Sequence, residues 1–181
     1  MRNKQPTSLS AIEGQALYTP QHIANYFLDR AAAEGRPITP IKLIKLVYIA
    51  YGWALALVKK RLFGEQIEAW KHGPVIPSLY HEFKHFGSTP ITDRATIADY
   101  FDMEQTEPRV DNSDKDVLEI LDKVWAAYHR FSGWTLREKT HAVGTPWEQT
   151  YSPGRNAVIE DEMIAPHYRA RIGEILDAAG V

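Results

Sequence analysis

The sequence predicts a mainly α protein: a compact, single-domain helical bundle around a buried central helix, with at most a short strand or extended segment near 66–72. Three observations carry this. Residues 41–58 are the most hydrophobic stretch and are apolar on nearly every helical face, so that helix needs neighbours on several sides. Thr19-Pro20 and Thr39-Pro40 each set a capping residue before a proline at the first helical position. Val117, Leu121, Val124, Trp125 and Tyr128 fall on one stripe of a further helix. Residues 1–18 read as a flexible N-terminal tail, and residues 19–181 as one domain that includes a C-terminal helix.

In chain order, the first helix carries Ile23, Ala24, Phe27, Leu28 and Ala31 at helical spacing, and Gly35 supplies a stop. The central helix opens at Thr39-Pro40. Lys42 and Lys45 interrupt its apolar run, and Lys59-Lys60-Arg61 close it. Its uncharged part, 46–58, falls well short of the roughly 20 residues of a membrane span, so no membrane is expected. Ile67, Ala69 and Trp70 permit a short strand. Pro74 and Pro77 lack a donor and push the residue before each toward extended geometry. Gly73 takes positive φ cheaply. Gly73-Pro74 therefore reads as a stiff corner and Pro77-Ser78 as a helix start.

Residues 87–112 are the least regular, with Gly87, Pro90 and Pro108 among many acids, and room for a short helix over 95–101. Ser113 is expected to cap the amphipathic helix. Ser132-Gly133 restarts the chain into a helix through about His141, where a protonated imidazole would favour the negative end of the helix dipole. Gly144-Thr145-Pro146-Trp147 reads as a turn with an aromatic anchor. Trp70, Trp125, Trp134 and Trp147 are expected to pack in the core. The C-terminal helix is expected from Pro166 to about Ala179, after a shorter helical turn near 161–164.

A net charge of −2 offers no reason to expect general nucleic-acid affinity. Bases concentrate in 1–61, nine against three acids, and acids in 93–122, ten against three bases. That split reads as separate solvated faces, or as a partner surface preferring one sign. The absence of cysteine excludes disulfides, thiolate catalysis and cysteine zinc sites. It also fits a reducing cytoplasm. Residues 1–17 carry Arg2 and Lys4 without an apolar run of signal-peptide length, so a cytoplasmic location is expected.

The densest chemistry lies in 70–85. Trp70-Lys71-His72-Gly73-Pro74-Val75 is a rigid, aromatic-flanked turn, and it leads into His81-Glu82-Phe83-Lys84-His85, a match to H-E-x-x-H. Histidines at i and i+4 of a helix can share one zinc ion, with the intervening glutamate as general base. Against that reading, Ser88 breaks the extended metzincin form. The carboxylates that could complete a site (Asp99, Asp102, Glu104, Glu107) sit in the least regular region. His81 and His85 also project from the helix face opposite Leu79, Phe83 and Phe86. No phosphate-binding glycine loop and no G-x-S-x-G is present. No catalytic residue, metal or cofactor is assigned.

Four motifs in order resemble a known family. They are Leu43-Ile44-Lys45-Leu46-Val47-Tyr48-Ile49-Ala50-Tyr51-Gly52-Trp53, then Glu68 through Val75 with Tyr80-His81-Glu82-Phe83, then Phe131-Ser132-Gly133-Trp134-Thr135-Leu136, then Thr140-His141 with Thr145-Pro146-Trp147. This series, covering 19–151, resembles the Panacea domain, the SocA-like antitoxin family that includes phage-associated GepA-type proteins. The resemblance implies a largely helical, non-enzymatic antitoxin that binds and neutralises a cognate protein toxin encoded nearby. It also implies a proteolytic adaptor role with ClpX or ClpXP as second partner, because the member that names the family works in that way. The candidate partner-binding residues are Trp70, His72, Gly73, Pro74, Tyr80 and His81. Residues 1–18 are too short for a helix-turn-helix, so no operator binding is expected. The rival readings are a zinc hydrolase using His81 and His85 with Glu82 as base, and a phage-related protein acting on a host target.

Overall fold

The computed structural model describes residues 18–98 and 104–181. Its centre is α2 (Pro40–Leu57), in which every residue except Ile41 and Leu57 is buried. The cover comes from α1 (Pro20–Ala33), α3 (Pro77–Phe83), α4 (Lys115–Tyr128), α5 (Gly133–His141) and α7 (Asp161–Arg169), together with a small sheet. By length and composition α2 could cross a membrane, but 83% of it is buried inside the protein. A helix apolar all round is satisfied by neighbours of either kind, and here protein supplies them. The class is mainly α, as predicted.

The elements on either side follow local chemistry. The Thr19 amide donates to His22 Nδ1 at 3.2 Å at the start of α1, and the helix stops ahead of Gly35, whose φ is +62°. The Ser132 hydroxyl accepts from the Thr135 amide at 3.1 Å to open α5. Glu65 caps α3 from outside the helix, accepting from the Ser78 amide at 2.8 Å. Strand content exceeds the single segment predicted. β1 (Glu68–Trp70) pairs antiparallel with β2 (Gly73–Val75), so Gly73-Pro74 is an edge strand as well as a corner. β5 (Ala157–Val158) covers the other side of β1, giving the order β2-β1-β5. Pro74 is tolerated because an edge strand does not need its missing donor.

Four local expectations are corrected. Residues 97 and 98 do not form a helix: β3 (Ile97–Ala98) pairs with β4 (Gln105–Thr106), and 99–101 lie outside the described residues, as does nearly all of the expected tail. The α4 cap is Asp114, which accepts from the Val117 amide at 3.3 Å, while Ser113 donates instead to Asp111 at 2.8 Å. Pro146 opens a short helix, α6 (Pro146–Thr150), rather than a simple turn. Pro166 lies inside α7 and does not start the last helix, α8 (Ile172–Ala179). Tertiary bonds override the proline there. Buried Asp161 accepts from Tyr51 at 2.9 Å and Arg61 at 2.6 Å, and Ile164 and Tyr168 are buried further along α7.

Among the groups that hold the irregular stretch after α3 is a residue that periodicity hides. Asn25 is fully buried on α1. Its amide donates to the carbonyls of Ala95 (2.9 Å) and Pro108 (3.0 Å) and accepts from the Ala95 amide at 2.7 Å.

The α2–α7 contact sets the first expected outcome. A Cβ on Gly52 would stand 2.2 Å from the buried Tyr168 ring, whereas one on Gly173 of α8 meets nothing within 4 Å. Gly52→Ala should lose about 2–3 kcal/mol in urea unfolding. Gly173→Ala should gain up to about 1 kcal/mol.

Candidate functional site

The β1–β2 hairpin is docked on a buried cation. Lys45, on α2 and 1% exposed, donates from Nζ to the Pro74 carbonyl at 2.8 Å. Gly73 lies directly above it with φ +105°, and a Cβ there would meet Lys45 Nζ at 2.7 Å and His141 Nε2 at 3.0 Å. Backbone strain and lack of space thus both require glycine. A second bond pins the other strand: Trp147 Nε1 donates to the Trp70 carbonyl at 2.8 Å. Behind it His141, Trp147 and Tyr151 stack in sequence, with ring centroids 3.7 and 4.7 Å apart and planes within 2° and 17°.

The outer surface of this assembly is a groove of about 460 Å³. Trp70, Lys71, His72, Tyr80, Lys84 and Trp134 line it, with Ile41, Ile44, Val75 and Lys45 also on its walls. Trp70 meets Tyr80 edge-to-face at 4.9 Å and donates its indole N–H to Glu68 at 2.6 Å, which fixes the ring. Trp134 is 61% exposed, with the Arg137 guanidinium 5.4 Å from its ring centroid.

Of the predicted set, Trp70, His72 and Tyr80 line the groove. Gly73 and Pro74 are buried and hold the hairpin down. His81 is exposed and touches the Trp70 and Tyr80 rings without lining the groove. Trp134 is not the core residue expected. Gly133, Leu136 and Thr140 are the buried face of α5, so the residue beside Gly133 points away from it. That periodicity was the available signal. Lys45 had none, because a lysine in an apolar run reads as an interruption.

The H-E-x-x-H residues occupy different settings. The α-helix ends at Phe83 and continues as a 3-10 turn over Lys84–Phe86, so His81 and His85 are not one turn apart on a single α-helix. Glu82 accepts from the Thr96 amide at 2.8 Å and from Gln21 at 3.4 Å, which turns its carboxylate toward the chain. Among the described residues no three His, Cys, Asp or Glu side chains gather as a metal-binding group. Asp99 and Asp102 lie outside them.

The field around Gly73 is positive. Burial, and then the Arg137 charge, lowers the Lys45 ammonium to about 7. Burial, followed by Arg137 and Lys45, lowers His141 to about 4. His72 is lowered by burial first and then by the charges of Arg137, Lys71 and Lys45. At neutral pH the His141 ring is therefore neutral, and the dipole preference of its protonated form does not come into play. Arg137 Nε is buried with no hydrogen-bond partner among the described residues.

The profile described as "Antitoxin SocA-like, Panacea domain" matches residues 43–148. The chain belongs to the SocA-like antitoxin, Panacea-domain family. Antitoxin SocA of Caulobacter vibrioides (strain NA1000 / CB15N) is 36% identical over 138 residues, 74% of this chain and 71% of that protein. No solved structure matches. The Panacea region contains Lys45, the hairpin, Tyr80, Trp134, His141 and Trp147, whereas α1, α7 and α8 fall outside it.

The buried titratable groups set the second expected outcome. Lys45 titrates near 7 when folded against an ordinary 10.5, so between those values the unfolded chain holds more protons and stability rises with pH. His141 titrates near 4 against 6.5, so stability falls as pH drops through that window. Urea midpoints across pH should show the alkaline rise flattened in Lys45→Met and the acid fall flattened in His141→Phe.

Proposed function

We propose that this protein is a cytoplasmic, non-enzymatic antitoxin that binds a cognate protein toxin encoded nearby and neutralises it through the groove beside the β1–β2 hairpin. The carrying observation is that the family match spans the groove, its hairpin and almost every side chain lining it. The geometry suits binding. Two hydrogen bonds, one to each strand, hold the hairpin, so little order has to be created when a partner arrives. Exposed Trp134 and Tyr80 are of the types that dominate binding energy at interfaces. The Glu82 carboxylate, tied to Thr96, supports a structural role over a general base.

Neutralisation could run by blocking the toxin or by handing it to ClpXP, and one assay separates them. Cells expressing the neighbouring reading frame should arrest, and co-expression of this protein should restore growth. A constant toxin level during rescue means blocking. A fall that depends on ClpX means delivery. Arrest that this protein does not relieve would sink the antitoxin reading.

For the interface, Tyr80→Ala and Trp134→Ala should each weaken toxin binding by about 2 kcal/mol, or roughly thirtyfold in Kd, in titration calorimetry. Circular dichroism should stay near wild type for both, and Tm for Trp134→Ala, whose ring is exposed; Tyr80→Ala gives up the packing on Trp70 and should lower Tm slightly. Trp70→Ala should lose stability as well as binding, since the ring packs on Tyr80 and bonds Glu68.

A further inference from the structure

The groove has a chemistry that the family does not specify. Among the described residues its walls carry Lys45, Lys71, Lys84 and His72 and no carboxylate, although the chain as a whole is acidic by two charges. Lys45 is buried behind these walls against the neutral Pro74 carbonyl at 2.8 Å. Lys71, His72 and Lys84 are exposed, so an anion entering the groove meets them directly. Next to it Trp70, Tyr80 and Trp134 with Ile41, Ile44 and Val75 offer apolar and aromatic surface.

Resting on the antitoxin reading for the partner's identity, we propose that the groove takes a short acidic segment of a protein, setting an apolar side chain against Trp70, Tyr80 and Trp134 and a carboxylate toward the exposed Lys71 and Lys84. Charge complementarity selects the carboxylate, and the apolar walls select its neighbour. A nucleic-acid strand fits less well. The chain carries a net charge of −2, and among the described residues only two exposed lysines with His72 stand along the walls, too few to follow a phosphate backbone.

The test uses the full chain and three fluorescein-labelled probes: the peptide Leu-Asp-Trp-Asp-Leu-Glu, the same peptide with each acid replaced by lysine, and oligothymidylate. Fluorescence polarisation should show the acidic peptide binding at least about tenfold tighter than the lysine peptide, weakening as salt is raised. Lys71→Glu combined with Lys84→Glu should reverse that order, and both positions are exposed, so the fold is retained. Trp134→Ala should weaken the acidic peptide without changing its salt dependence. Equal binding of both peptides, no binding of either at millimolar concentration, tighter binding of oligothymidylate, or indifference to the charge reversal would each overturn the proposal. In the growth assay, rescue by wild type that survives the charge reversal overturns this groove chemistry and leaves the antitoxin reading standing. Failure of wild type to rescue strikes that reading alone, and the peptide measurement still decides the groove.

Discussion

Burial of α2 on every side is the constraint from which the architecture follows. An 18-residue helix with two residues left outside cannot be covered by one partner, so α1, α3, α4, α5, α7 and a strand must all reach it. Several of these covers are shorter than an isolated helix could be and remain helical in water, so packing on α2 is what stabilises them. The same constraint brings two lysines into the core. Lys42 extends to the His129 carbonyl at 2.6 Å, at the edge of the bundle. Lys45 has no such route, and its ammonium is met by the Pro74 carbonyl.

That internal contact is what makes the surface hairpin rigid. A three-residue strand pair is too short to hold itself, and here each strand is tied through a carbonyl, one to Lys45 and the other to the Trp147 indole. Gly73 is the condition for both, since a side chain there would occupy the space of the ammonium and of His141. The aromatic rim of the groove is therefore an extension of the core, and its position is set by the central helix as much as by its own residues.

The motif around Gly73-Pro74 and the zinc-peptidase pattern share one stretch of chain but use it differently. The first is built into the core by bonds to other elements. The second is spread across an α-helix and a 3-10 turn, and its glutamate holds down the chain at Thr96. A binding module needs a fixed surface with distinctive charge and shape, and the hairpin with its neighbours supplies one.

Much of the fold was legible from local chemistry. The Thr-Pro helix starts, the all-round apolar run of α2, the α4 stripe and the ordered family motifs depend on residues close in sequence, and hydrophobic periodicity and capping act at that range. Trp70, His72 and Tyr80, singled out beside the Gly73-Pro74 corner, all line the groove. Tertiary structure decided the rest, because the deciding partners lie far apart in the chain. Asn25 ties down Ala95 and Pro108, Asp161 is held by Tyr51 and Arg61, and α7 runs through Pro166 against α2. Trp134 becomes exposed only because the Gly133 face of α5 is pressed onto Ile41. Lys45 becomes a buried cation only because the hairpin closes over it. No local pattern records a charge whose environment is built by residues 29 and 96 positions further along, at Pro74 and His141.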